Sequence, residues 1–264
     1  MTSGTPRVVV EGLGKRYGAS RVLDNVAFTI APGEFVSLVG PSGCGKSTVL
    51  EMIGGLREYE EGAIVVDDAP VVGPRASTGI IFQEASTLPW RSTLDNVALA
   101  LEMRGVGKAD RRAAAQRALD AVGLGAFADH RPAQLSGGMR QRVALARVLT
   151  IEPRVILADE PFGALDEQTR LIVALELLAA VDRTSASVLF VTHSIQEAAL
   201  LSDRVLIMGA RPGKIIDEVV IDLPKPRGPE LIGSAELSGY ADRIWAPLRE
   251  EALRALAMQE RRSE

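Results

Sequence analysis

The chain has 264 residues, a formal net charge of -4 and one cysteine. That length suits one large domain, or a core carrying an inserted subdomain. The acidic balance and the 4% aromatic content argue against a nucleic-acid binder that relies on a strong basic field or on stacking platforms. The lone cysteine excludes an internal disulfide and fits a reducing compartment. No run of about 18 apolar residues is present to span a bilayer, and the first residues, MTSGTPRVVVEG, lack the charged and apolar regions of a signal peptide. The expectation is a soluble, cytoplasmic protein that meets a membrane only through a partner.

In chain order, residues 7–10 (RVVV) and 26–30 (VAFTI) read as short strands. FVSLV at 35–39 is an apolar strand that runs through a glycine-rich loop into a helix over 47–54. AIVVDD (63–68) and TGIIFQ (78–83) add strands. Residues 92–122 and 136–150 read as helices from their Ala, Leu and Arg content. VILAD (155–159) and SVLFVT (187–192) are buried strands, each followed by a helical segment, at 167–181 and 194–202. VLIM (205–208) and KIIDEVVID (214–222) close the series. Apolar strands alternating with helices predict a parallel sheet covered on both faces. The helical block at 86–150 breaks that alternation and predicts an insertion. After PKPRGP, Leu237, Tyr240, Ile244, Leu248 and Leu256 recur at helical spacing, so residues 224–264 read as a linker and a tail helix packing on the core.

Three stretches carry chemistry. GPSGCGKST, residues 40–48, matches G-x-x-x-x-G-K-[ST] between an apolar strand and a helix. Glycines let successive backbone N–H groups turn toward phosphate oxygens, and the helix N-terminus adds positive potential. Lys46 is placed to reach the outer phosphates, and the Ser47 hydroxyl to ligate Mg²⁺. Cys44 lies inside this loop, where a helix N-terminus can activate a thiol toward oxidation; the preferred reading is a small residue that merely fits. VILADE ends a buried strand on Asp159 and Glu160, a metal carboxylate and a base that could polarise water. LSGGMRQR at 135–142 repeats the grammar of hydroxyl, glycines and helix, a second phosphate-binding turn. His193 follows SVLFVT at a further strand end. His130, in a polar loop, receives no role.

Together and in order, these segments resemble the ATP-binding subunit of ABC transporters over nearly the whole chain. The resemblance implies an α/β P-loop NTPase, a RecA-like parallel sheet core with an N-terminal antiparallel β subdomain and an inserted helical subdomain. Residues 1–223 would form one ATPase domain with the helical subdomain at about 86–150. Tyr17 in KRYG resembles the aromatic that stacks on adenine. Gly40, Pro41, Ser42, Gly43, Cys44, Gly45, Lys46, Ser47 and Thr48 resemble Walker A. Gln83 resembles the glutamine that touches Mg²⁺ and the attacking water, so Ser47, Gln83 and Asp159 form the implied metal set. Ser136, Gly137 and Gly138 resemble the signature, Asp159 and Glu160 resemble Walker B and its catalytic glutamate, Ala164, Leu165 and Asp166 resemble the D-loop, and His193 resembles the switch histidine.

LPWRSTLDNVALAL, DEPFGALDEQTR and ARPGKIIDEVVIDLPKPR resemble the nitrate, sulfonate and taurine import group. Ser194 stands where aspartate is frequent in the family, and Glu84-Ala85-Ser86-Thr87 departs from the commoner sequence after the glutamine. The resemblance implies ATP and Mg²⁺ as cofactors, a second copy of the chain bound head to tail, membrane permease subunits docked beside Leu88, Pro89 and Trp90, and indirectly a solute-binding protein, with no nucleic acid. Trp90 fits core packing as well as docking. The competing function, a soluble ABC ATPase acting on ribosomes or DNA, predicts tandem cassettes, coiled-coil insertions or basic arms, and a small-molecule kinase leaves LSGGMRQR and His193 unexplained.

Overall fold

The computed structural model describes residues 5–163, 165–210 and 212–260. In chain order the elements are β1 (Val8–Tyr17), β2 (Ser20–Ile30), β3 (Phe35–Val39), α1 (Lys46–Ile53), β4 (Glu61–Val66), β5 (Ala69–Pro70), β6 (Thr78–Ile81), α2 (Thr93–Met103), α3 (Lys108–Ala121), α4 (Gly137–Leu149), β7 (Val155–Asp159), α5 (Glu167–Asp182), β8 (Ser187–Thr192), α6 (Ile195–Leu201), β9 (Arg204–Gly209), β10 (Lys214–Val220) and α7 (Ala235–Glu260). They divide into two compact units, Met1–Pro74 with Ser187–Glu264, and Arg75–Ala186.

The first unit holds two sheets. β2, β1, β4 and β5 form an antiparallel sheet in that order. The two short strands expected at 7–10 and 26–30 are parts of one long hairpin: Leu13, Leu23 and Val26 stay buried while the polar residues between them face outward, and register shifts after Val10 break the period-two pattern that would have shown it in sequence. The second sheet has β3 between β8 and β9, all parallel, with β10 antiparallel on the edge. Every residue of β3 and β8 is buried, which is why both read as mainly apolar runs, with Ser37 bonded to Ser202 inside the core.

The tail helix α7 packs against α6, β9 and β10 through Leu237 and Ile244, both buried; the side chain of Leu256 lies outside the described residues. Buried Arg227, in the linker ahead of it, donates to the carbonyls of Leu200, Ser202, Ile221 and Leu223.

In the second unit β6 and β7 pair in parallel, and α4 packs on α2, α3, α5 and β6. Hydroxyl and carboxylate caps fix where α2, α4 and α5 begin. Ser92, Ser136 and Asp166 each accept the backbone N–H three residues on, from Asp95, Met139 and Thr169, satisfying a donor that a helix start otherwise leaves unpaired. Asn96 bonds both polar groups of Leu88 and so shapes the segment before α2. Trp90 is 69% exposed, which removes core packing as its role.

Candidate functional site

The glycine loop leaves the C-terminal end of β3 and enters α1. Gly43 and Gly45 have φ of 76° and 105°, a region side chains rarely enter. Gly40 lies so close to the backbone of Met208 that a Cβ there would sit 2.4 Å from its carbonyl oxygen. The loop is therefore shaped by β9 as well as by its own sequence. Gly213 supplies a second wall: its Cβ would fall 2.0 Å from the Cys44 carbonyl oxygen. Gly213 was not legible as part of the site, since a glycine in ARPGKI reads as an ordinary turn.

Lys46 is buried and folds back so that Nζ donates to the carbonyls of Gly40 (2.8 Å) and Pro41 (3.1 Å). Carbonyls carry only partial charge, so the loop keeps a full positive charge beside the start of α1. The Gly45 N-cap has no side-chain cap, and amides left this way at a helix start suit an anion. Cys44 is 1% exposed. Burial pushes its thiol above the ordinary 9.0, and the opposing charge of Lys46 does not cancel it. The structure thus favours the small residue that fits over the redox-active thiol.

Val39 of β3 and Thr192 of β8 are register partners, so the loop and His193 leave the sheet at the same edge. His193 is exposed. The turn that carries it is braced by neighbours that sequence reasoning missed: Thr192 Oγ1 donates to the buried carboxylate of Glu197 (2.5 Å) and accepts from Ser194 N–H (2.9 Å). Ser194, the residue that departs from the family's usual aspartate, caps α6 by accepting from Glu197 N–H. A serine at an N-cap performs as well as aspartate does. Tyr17 ends β1, is 45% exposed, and accepts a 2.5 Å hydrogen bond from Arg57.

In the second unit Ile81 and Ala158 are register partners, so the segments bearing Gln83 and Asp159–Glu160 also leave together. Strand β6 ends at Ile81 rather than at Gln83, because Phe82 and Gln83 turn into the following loop. Gln83 Nε2 and Glu160 Oε2 each lie 3.8 Å from the point a Cβ on Gly163 would occupy. Glu160 itself has φ 42°, a strained backbone for a non-glycine residue of the kind that gathers at functional sites. Gln141, the glutamine of LSGGMRQR, donates to the carbonyls of Phe82 and Gln83. Arg147, two turns on, holds Ala85 and Ser86. Helix α4 thus fixes the loop after β6, a link that spacing alone did not reveal.

Ser136 and Gly137 are exposed at the start of α4 while Gly138 is buried against Leu165 and Thr169. This joins the LSGG turn to the start of α5, where Asp166 caps the helix. Ala164 lies outside the described residues. Ser47 in the first unit, and Gln83 and Asp159 in the second, carry hydroxyl, amide and carboxylate oxygens, each a hard donor of the kind Mg²⁺ takes.

The ABC transporter family model matches residues 23–163. The chain belongs to the ABC transporter family. It is 44% identical over 254 residues, 95% of this chain and 94% of the relative, to an uncharacterized ABC transporter ATP-binding protein of Methanocaldococcus jannaschii. It is also similar to the taurine import ATP-binding protein TauB of Yersinia pestis, at 42% identity over 213 residues, covering 81% and 84% of the two chains. Among solved structures, an ATP-binding cassette captured as a dimer in a post-hydrolysis state with ADP and Pi matches with a TM-score of 0.72 and 33% identity, over 82% of this chain and all of that one. This ABC protein is therefore a P-loop α/β ATPase that binds ATP. No helix among the described residues is long and apolar enough to cross a membrane.

Proposed function

We propose that this ABC ATPase is the energy-coupling subunit of an importer for a small anion or organic solute of the nitrate, sulfonate or taurine type. Its 42% identity to a taurine import ATP-binding protein supports the solute class. It would act as a head-to-tail pair on the cytoplasmic face of the inner membrane, bound to permease subunits that receive solute from a binding protein. The domain reading that goes with it is an ATPase domain over 1–223, with its helical subdomain at about 86–150, and a linker and tail helix over 224–264.

The observation that carries the ATPase chemistry is the pairing of strand ends, Val39 with Thr192 and Ile81 with Ala158. In this reading the amides of 40–48 and the Lys46 ammonium bind the phosphates, Tyr17 stacks on the adenine, and Ser47, Gln83 and Asp159 hold Mg²⁺. The metal would neutralise charge on the phosphate oxygens. Glu160 polarises the attacking water, and His193 contacts the terminal phosphate. Ser136, Gly137 and Gly138, with Asp166 beside them, serve the nucleotide of the second copy. Ser136 and Gly137 are exposed at the start of α4, and the Ser136 hydroxyl that caps Met139 N–H keeps its own proton to donate, which suits that use. ATP would then favour the closed pair because only the pair completes each site, and its loss would release the pair.

The test is Glu160→Gln. It is expected to bind ATP, lose about 10²–10⁴-fold in turnover, and accumulate as a dimer by light scattering when ATP is present. Wild-type turnover in that variant refutes the role of Glu160. Ser136→Arg is expected to abolish hydrolysis while each monomer still binds ATP.

A further inference from the structure

One guanidinium ties the end of β1 to the helix that begins at the glycine loop. Arg57 lies in the turn after α1. Its Nε donates to Glu51 Oε2 on α1 (2.5 Å), and its Nη1 donates to the hydroxyl of Tyr17 (2.5 Å). The Arg57 carbon that bears the charge lies 5.8 Å from the centre of the Tyr17 ring, and Lys15 Nζ lies 5.6 Å from it. Lys15 is held in turn by Glu60 at 2.6 Å. Tyr17 pairs with Ser20 across a two-residue turn, so its ring stands at a hairpin tip, 45% exposed, with Lys15 beside it within the hairpin.

We propose that Arg57 is a positioning residue for nucleotide binding, which holds the Tyr17 ring in the orientation that stacks on the base and couples it to α1 through Glu51. The proposal rests on the reading of Tyr17 as the base-stacking aromatic. The side chains of Arg57 and Glu51 are 40% and 32% exposed, and ion pairs so open to water add little to folding stability. What such a pair can do is restrict a side chain before the ligand arrives. A ring already held loses less freedom on stacking, and that saving appears as affinity. The bond also reports in the other direction, since Glu51 lies on the helix whose first residue is Lys46.

The experiment is equilibrium titration of the full chain with Mg-ATP and, as a probe without a base, inorganic tripolyphosphate. Tyr17→Ala, Tyr17→Phe, Arg57→Ala and the double variant Tyr17→Phe/Arg57→Ala are compared. Tyr17→Phe keeps the ring and the Arg57–Glu51 pair and removes only the acceptor. Expected are about 3–10-fold weaker ATP binding for Arg57→Ala and for Tyr17→Phe, and a double variant no weaker than the weaker single. Tripolyphosphate binding is expected to change by less than about twofold in all of them, because the contact serves the base and not the phosphates. If Tyr17→Ala weakens ATP while Arg57→Ala leaves it unchanged, the link is refuted and the stacking role stands. Equal loss of ATP and tripolyphosphate in Arg57→Ala also refutes it, since Arg57 would then act on the glycine loop. Unchanged ATP binding in Tyr17→Ala refutes the stacking role, and the proposal with it.

Discussion

Val39 and Thr192 sit side by side in parallel strands, so one sheet edge delivers both the glycine loop and His193. From the sequence His193 reads as lying past a strand end on the nucleotide edge of the sheet; that β3 and β8 are direct neighbours, with the whole second unit between them in sequence, is visible only in the fold. The pairing gives Lys46 and His193 a common edge, and in the proposed mechanism both serve one nucleotide from it. Lys46→Ala should remove the only full charge of the loop and leave the Gly40 and Pro41 carbonyls to repel phosphate. Turnover is expected to fall by about 10²-fold or more, the order seen when a preorganised group that stabilises developing charge is removed. Steady-state ATP hydrolysis checks it, alongside His193→Ala, which should lose turnover while ATP binding stays within a few-fold.

Gly213 offers a purely steric test of loop shape. A methyl group there would lie 2.0 Å from the Cys44 carbonyl oxygen, a backbone atom that cannot swing away as a side chain can. Gly213→Ala should push the loop out of register and weaken ATP binding by about tenfold or more, since overpacking of a tight site commonly costs about 1–3 kcal/mol. The control is Gly18→Ser, where a Cβ meets nothing: strain from its φ of 58° is expected to cost stability at the hairpin, read by thermal melting, without disturbing the loop.

Cys44 predicts a pH dependence. Its thiol is held above 9.0 by burial, so the thiolate, the reactive form, is scarce near neutrality and grows as pH rises. Alkylation of the native protein by a maleimide should be slow at pH 7 and accelerate continuously past pH 9. The same shift favours the protonated folded state, so its contribution to stability is intact below the unfolded thiol value and declines as pH rises through the folded one. Rapid alkylation at pH 7 in the folded protein would contradict this, and Cys44→Ser should retain ATP binding.

The outline of the ATPase was legible because the glycine loop, VILADE and LSGGM are contiguous and each sits at an element boundary. What escaped was whatever depends on a partner distant in sequence. Gln141 and Arg147 brace the loop after β6 by donating to backbone carbonyls, and a carbonyl acceptor leaves no trace in residue type. The polar residues between Val10 and Val26 concealed a long hairpin, since one face of it is solvated. Trp90 could be read as core or surface because a tryptophan suits both, and only its exposure decides.

Arg227 carries the last prediction. Its side chain is 1% exposed, yet it comes from a linker that reads as a solvated PKPRGP turn. Nη1 reaches the carbonyls of Ser202 at 2.6 Å and Leu200 at 3.2 Å, at the end of α6, while Nη2 faces those of Ile221 and Leu223. One fork therefore joins the helix after His193 to the chain leading into α7. Arg227→Met keeps much of the apolar volume but leaves buried carbonyls without a donor, at about 1–3 kcal/mol each; with the two short bonds lost, about 2–5 kcal/mol of destabilisation is expected. Arg227→Lys retains a charge but cannot span both pairs, so it should fall between the wild type and Arg227→Met. Urea denaturation measures the order. Equal midpoints for Arg227→Met and wild type would show that the linker is held without Arg227, by the Lys225–Asp203 ion pair and the burial of Ile221, Leu223, Leu237 and Ile244.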